Sequence, residues 1–73
     1  MDWRTRITVD PAMHHGRPTI RGMRITVQDV LDYLGSGMTI DKVLSDFPDL
    51  TLEDIQASIA YAAEQMRART ATA

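Results

Sequence analysis

The chain has 73 residues, no cysteine and a formal net charge of −2. This length allows one domain, and the lack of cysteine excludes disulfides and thiolate metal sites as supports for its small core. No apolar run approaches the length of a membrane span and the first residues do not begin a signal peptide, so we expect a cytoplasmic protein without membrane association.

The charge is divided unevenly along the chain. Five arginines against two aspartates give residues 1–27 a net charge of +3, whereas one lysine against eight acidic residues gives residues 28–66 a net charge of −7. Small domains without a binding role also show such asymmetry. We predict one domain over residues 1–69, formed by a basic β element in 1–27 and a helical body beginning at residue 27. The last residues, 70–73, are predicted to form a disordered tail.

The first elements have the patterns of short strands and tight turns. Residues 6–9 alternate polar and apolar side chains, which is the strand period. Between Gly16 and Val27 two β-rich runs flank a turn at Gly22, and Pro18 fixes the backbone ahead of them. The segment therefore predicts a rigid, basic β-hairpin.

Three amphipathic helices follow the hairpin. Their apolar residues recur at i, i+3, i+4 and i+7, which predicts one buried face for each helix. Glycines end the first helix and a proline ends the second. The predicted N-caps are Thr26, Thr39 and Thr51. The main apolar stripe of the third helix is Leu52, Ile55, Ile59, Ala62 and Met66. The fold class is mainly α, with a short N-terminal β-hairpin before a three-helix, helix-turn-helix-like bundle.

The last helix carries more apolar surface than one small core can cover. Such excess predicts a homodimer, although alanines are also good helix formers and widen the stripe for that reason alone. We expect pairing through the hairpin or through the last helix. The candidate interface residues are Ile7, Val9, Ile59, Tyr61 and Met66.

The hairpin arginines are the candidate partner- or DNA-binding residues, namely Arg17, Arg21 and Arg24. A β-ribbon can enter a DNA groove. Guanidinium groups can equally form bidentate pairs with carboxylates of a protein partner, or with Asp29 and Asp32 of this chain. We expect one of the three arginines to be paired internally and the others to be exposed.

The second and third helices, with their short connection, match a helix-turn-helix in outline. A recognition helix at this place would present Glu53 and Asp54 to DNA phosphates, with Gln56 and Ser58 as neutral polar readers. Two carboxylates beside a phosphate backbone are unfavourable, so the charge favours a structural role for the helix pair.

No pattern of catalytic or cofactor-binding residues is present. The adjacent His14 and His15 are too few ligands for zinc. The serines lack the context of a nucleophile elbow, and residues 16–22 lack the ending of a phosphate-binding loop. We therefore expect no enzymatic activity, no cofactor and no metal.

Four motifs together resemble a known family. They are Gly-Arg-Pro-Thr-Ile-Arg-Gly-Met-Arg-Ile-Thr-Val at 16–27, Gly-Met-Thr at 37–39, Phe-Pro-Asp-Leu-Thr-Leu-Glu-Asp-Ile at 47–55 and Tyr-Ala at 61–62. Over residues 6–64 the chain resembles the domain of unknown function 433 family, small bacterial and archaeal proteins of which some are classed as VapB-type antitoxins. The chain departs from the family pattern at Met23, Thr26 and Phe47, where threonine, proline and tyrosine are usual. The residues that match the family's first motif are Gly16, Pro18, Ile20, Arg21, Gly22, Arg24 and Ile25.

The resemblance implies an N-terminal β element before a homeodomain-like bundle, usually in a dimer. For some members it implies pairing with a PIN-like ribonuclease toxin, and repression of their own promoter by the complex. Because such a ribonuclease has an acidic metal site, we expect Arg21 or Arg24 to enter that site and displace the metal. The alternatives are a transcriptional regulator that binds operator DNA, and a structural or assembly module with neither activity.

Overall fold

The computed structural model describes residues 1–70, in which a small antiparallel sheet precedes three helices. Strand β1 covers Ile7–Thr8 and strand β2 covers Thr19–Ile20. Helix α1 covers Val27–Gly35, α2 covers Ile40–Asp46 and α3 covers Leu52–Thr70. The predicted mainly helical fold with an N-terminal hairpin is confirmed. None of the described helices is long and apolar enough to cross a membrane.

The strand pairing differs from the predicted hairpin. Strand β2 pairs with β1, in a register that places Ile7 opposite Ile20, whereas the run after the glycine turn contributes one isolated bridge between Thr19 and Thr26. The Ile20 amide donates to the Ile25 carbonyl at 3.0 Å, which keeps that run against β2. Strand β2 therefore lies in the middle of the β element, with a partner segment on each side.

Each helix has the N-cap that the sequence predicts. Thr26 Oγ1 accepts from the Asp29 amide at 3.0 Å, and the Asp29 carboxylate accepts from the Thr26 amide, so α1 begins with a capping box. Thr39 Oγ1 caps α2 by accepting from the Lys42 amide at 3.1 Å. Helix α3 continues through Thr70, where the prediction began the tail. The other predicted tail residues, 71–73, lie outside the described residues.

The core lies where the β element meets the helices. Its buried apolar residues are Ile7, Ile20, Val27, Val30, Val43, Leu50, Ile55 and Ala57. Two aromatic pairs border it. The rings of Tyr33 and Phe47 stack with centroids 4.8 Å apart, and Trp3 meets Tyr61 edge-on at 4.7 Å. These contacts give the four aromatic residues structural roles.

The predicted apolar stripe of α3 was wrong for three of its five members. Leu52, Ile59 and Met66 are 44%, 44% and 60% exposed. The buried face of the helix instead includes two polar residues, Asp54 and Ser58. The Ser58 hydroxyl donates to the Asp54 carbonyl at 2.9 Å, so its burial leaves no unmade hydrogen bond. We call Leu52, Ile59 and Met66 the outer stripe.

Candidate functional site

The turn after β2 has an unusual backbone. Arg21 and Gly22 both have positive φ, 47° and 72°, and the Met23 amide donates to the Ile20 carbonyl at 2.8 Å. Positive φ at both central positions is characteristic of a type I′ turn. Glycine adopts this conformation freely, whereas a residue with a Cβ rarely does. The arginine must therefore be held there by other contacts.

Asp54, in the first turn of α3, holds Arg21 in this conformation. Arg21 Nε donates to Asp54 Oδ1 at 3.1 Å, and its Nη2 donates to Oδ2 at 2.9 Å and to the Asp49 carbonyl at 2.7 Å. Arg6 Nη1 donates to the same Oδ1 at 3.0 Å. Arg6 and Arg21 border the paired strands, and the Arg21 amide donates to the Arg6 carbonyl at 2.7 Å. We call Arg6, Arg21 and Asp54 the arginine–aspartate cluster.

The Asp54 carboxylate is fully buried and also caps its own helix. Its Oδ2 accepts from the Thr51 amide at 2.9 Å, while Thr51 Oγ1 accepts from the Asp54 amide at 3.2 Å. Burial alone would raise the pKa of Asp54, but hydrogen bonds from Arg21, the Thr51 amide and Arg6 together hold that pKa below its usual value. The hydrogen bond to Asp54 in turn raises the pKa of Arg21.

The cluster corrects the predicted partner of a hairpin arginine and agrees with the structural role that the charge favoured for the helix pair. Arg21 pairs internally, as expected of one hairpin arginine, but with Asp54 and not with Asp29 or Asp32. Asp54 and Ser58 are buried, so neither can read DNA from the start of α3. The sequence signal that identifies this arrangement is the Thr-x-x-Asp capping pattern at residues 51–54, which turns the carboxylate back towards the start of its helix.

The remaining hairpin arginines, Arg17 and Arg24, are exposed. The Arg17 amide donates to the His14 carbonyl at 3.1 Å, but neither guanidinium has a hydrogen bond or ion pair with any residue in the described part of the chain. Arg17 precedes Pro18 at the base of β2, and Arg24 follows the type I′ turn at its other end. Arg17 also lines a shallow depression that it shares with Pro18, Thr26 and Gln28. The β element thus presents two cations to solvent.

The motif residues of the turn segment have structural positions. Gly16 and Gly22 adopt positive φ, 79° and 72°, which suits turns. Ile20 is fully buried, while Pro18 and Ile25 are half-buried. Within residues 1–70 no three side chains of the metal-binding types are grouped so as to hold an ion.

The residues predicted for a dimer interface differ in their exposure. Ile7 is 6% exposed and packs in the core, so its assignment to an interface between copies is corrected. Tyr61 is half-buried against Trp3. Val9, Ile59 and Met66 are exposed, and the last two belong to the outer stripe.

The family model described as "Protein of unknown function (DUF433)" matches residues 7–62, a range that contains both Arg21 and Asp54. The chain belongs to this family. In this chain the segment 16–27 supplies Arg21 and the segment 47–55 supplies Asp54, 33 positions later. The cluster brings these two segments into contact in the fold.

The chain is also similar to the uncharacterized protein y4eO of Sinorhizobium fredii (strain NBRC 101917 / NGR234). The two are 33% identical over 64 residues, which is 86% of this chain and 29% of that protein. The chain therefore spans less than a third of the length of this relative. No solved structure matches the chain.

Proposed function

We propose that the chain is a non-enzymatic, antitoxin-like protein of a type II toxin–antitoxin system, which binds and neutralises a PIN-like ribonuclease. The observation that carries the proposal is the exposed guanidinium of Arg24, which has no ion pair within residues 1–70 and follows a turn held by the cluster. Such an arginine can form bidentate hydrogen bonds with the carboxylates of an acidic metal site. Because the turn is held in advance, little backbone conformational freedom is lost on binding.

Arg21 is unsuited to this contact. Its guanidinium is already bound to Asp54 and to the Asp49 carbonyl. Turning it towards a partner would leave a buried carboxylate short of a counter-charge, which is strongly unfavourable. We therefore assign the contact to Arg24, and assign to Arg21 the role of positioning the turn that presents it.

Arg17 is the second contact in this proposal. The depression that it lines with Pro18, Thr26 and Gln28 contains no carboxylate, although the chain as a whole is acidic. An acidic group of a partner would therefore meet no carboxylate among the residues that line the depression. Complementary charge of this kind speeds association and fixes the orientation of the partner.

The first experiment is an affinity pull-down of the tagged chain from its native host, followed by mass spectrometry. We expect a PIN-like ribonuclease in stoichiometric amount. Recovery of the chain alone would contradict the antitoxin proposal and would leave the DNA-binding regulator and the structural or assembly module as the alternatives.

The second experiment tests the arginines against the recovered ribonuclease. We expect Arg24→Ala to weaken inhibition about 30-fold or more, and Arg17→Ala to weaken it less, because a central arginine anchor contributes most of the affinity of such an interface. Lys42→Ala is the matched control, since it removes one exposed cation from α2. Unchanged inhibition by the double variant Arg17→Ala, Arg24→Ala would exclude this mode of binding.

Operator DNA is the second candidate partner, alone or with the ribonuclease. It is favoured by the burial of Asp54, which leaves Glu53 as the one exposed carboxylate of the two predicted to face DNA. Binding through the β element should weaken steeply with salt, and each of Arg17→Ala and Arg24→Ala should reduce the salt slope by about one. A promoter titration without salt-sensitive binding would exclude this role.

A further inference from the structure

We propose that a groove between α1 and α3 binds an amphipathic helix of the protein partner, and that this helix carries carboxylates beside its apolar face. Arg17, which the proposed function assigns to the partner contact, borders the groove. The pairing therefore rests on that proposed function and adds to it the kind of segment that the partner supplies.

The groove is largely apolar. A depression of about 410 Å³ opens between the start of β2 and the helices α1 and α3, and it shares Pro18 and Gln28 with the depression beside Arg17. The two depressions thus form one continuous groove. Its apolar lining includes Pro18, Val27, Leu31, Tyr61 and Ala62. Covering these side chains removes apolar surface from water, which is the main driving force for association.

The shape of the groove favours a helix over a small molecule. The α3 residues that line it fall between positions 61 and 69, a span of about 12 Å at a rise of 1.5 Å per residue. This is about two helical turns, which is enough for apolar anchors at i, i+3 or i+4 and i+7 of a docked helix. Gln28 and Gln65 at its sides are exposed, so the groove is open to solvent. A small-molecule site instead encloses most of its ligand.

Charge at the groove favours an acidic segment. The Arg17 guanidinium has no ion pair within residues 1–70, and none of the residues that line either depression is acidic. The carboxylates of α1 lie outside this lining and already accept hydrogen bonds, Asp29 from the Thr26 amide and Asp32 from Gln28 Nε2. A carboxylate beside the anchors of the partner helix would therefore meet Arg17, whereas a lysine there would meet a like charge.

Binding of the ribonuclease recovered in the pull-down tests the groove. We expect Ala62→Trp to raise the dissociation constant about tenfold or more, because the indole would fill the space of an apolar anchor. Ala68→Trp is the matched control, since Ala68 is an exposed residue of α3 outside the groove. Circular dichroism should show the same helix content in both variants. Tight binding by Ala62→Trp would overturn the groove and leave the antitoxin function standing, whereas a pull-down without a ribonuclease would overturn both.

Charge variants of equal size test the acidic character of the bound helix. Gln65 is exposed at the side of the groove, so its replacement leaves the core untouched. We expect Gln65→Glu to raise the dissociation constant about fivefold at low salt, and Gln65→Lys to leave it unchanged or lower it. Gln56→Glu, at an exposed position of α3 outside the groove, is the control and should have no effect. Equal binding by the two Gln65 variants, or weaker binding by Gln65→Lys, would overturn the acidic helix.

A photo-reactive phenylalanine analogue in place of Gln65 identifies the bound segment. After irradiation of the complex, mass spectrometry of the cross-linked peptide should find a ribonuclease segment with apolar residues at helical spacing and with aspartate or glutamate beside them. A cross-link to a second copy of this chain, or to a ribonuclease segment that lacks these features, would overturn the proposal.

Discussion

The buried carboxylate of Asp54 connects three parts of the fold. It accepts hydrogen bonds from Arg6 beside β1, from Arg21 in the turn after β2 and from the Thr51 amide at the start of α3. A neutral side chain at this position would leave the two guanidinium groups close together without their counter-charge. Removing one partner of a buried ion pair is therefore more destabilising than replacing both partners with apolar residues.

We expect Asp54→Asn to lower the free energy of unfolding by about 2–4 kcal/mol, because it removes the counter-charge of both arginines. The loss is smaller than for a fully buried pair, since both arginines remain partly in water and recover some hydration. Urea unfolding followed by circular dichroism measures the change. Asp46→Asn is the control: it removes a carboxylate from an exposed ion pair with Lys42, and should change stability by less than about 1 kcal/mol. Equal effects of the two variants would contradict the structural role of the cluster.

The same carboxylate predicts how stability depends on pH. The pKa of Asp54 is lower in the folded chain than in the unfolded chain, so the folded state favours the ionised form. The stabilisation is complete above the unfolded pKa of about 3.9 and is lost as the pH falls through the lower folded value. We expect stability to fall more steeply below pH 4 in the wild-type chain than in Asp54→Asn. Parallel acid-unfolding curves would show that Asp54 is not linked to folding.

At the scale of elements, the helix starts follow from local chemistry and the strand pairing does not. A threonine N-cap acts on amides within three residues, so Thr26, Thr39 and Thr51 could be identified from sequence. The pairing of β1 with β2 joins segments separated by a ten-residue connection, and no local pattern specifies that partner. The buried face of α3 could not be predicted for a similar reason. Asp54 faces inward only because Arg6 and Arg21, which are distant in sequence, bind its carboxylate.

The capping box of α1 gives a prediction at this scale. Thr26→Ala removes the hydroxyl that accepts from the Asp29 amide in a buried setting, and should lower the free energy of unfolding by about 1–2 kcal/mol. Thr39→Ala, at an exposed cap, should cost about 0.5–1 kcal/mol. Thermal unfolding of both variants measures the difference. A larger loss from Thr39→Ala would contradict the importance of the reciprocal cap.

For the whole molecule, the sequence predicted the class of fold and the net charges of residues 1–27 and 28–66. It did not predict which residues of these two parts contact each other. The arginine-rich first part and the acidic helical part are joined by the cluster, which turns a charge asymmetry along the chain into a contact inside the fold. Of the three arginines predicted to bind a partner, one serves this contact. Sequence could not say which one, because the choice depends on the direction in which the type I′ turn points its side chain.

A second connection links the two ends of the described chain. The Trp3 indole donates a hydrogen bond to the Glu64 carboxylate, and Arg4 Nη2 lies 3.4 Å from the same side chain. The residues of the first bond are 61 positions apart. A ribosome adds about 5–20 residues per second, so Trp3 is made about 3–12 s before Glu64. Asp54 is also a late residue, and the growing chain carries Arg6 and Arg21 uncompensated until it is made. The fold can close only after α3 has been made, because that helix supplies the carboxylates that bind the side chains of the first segment.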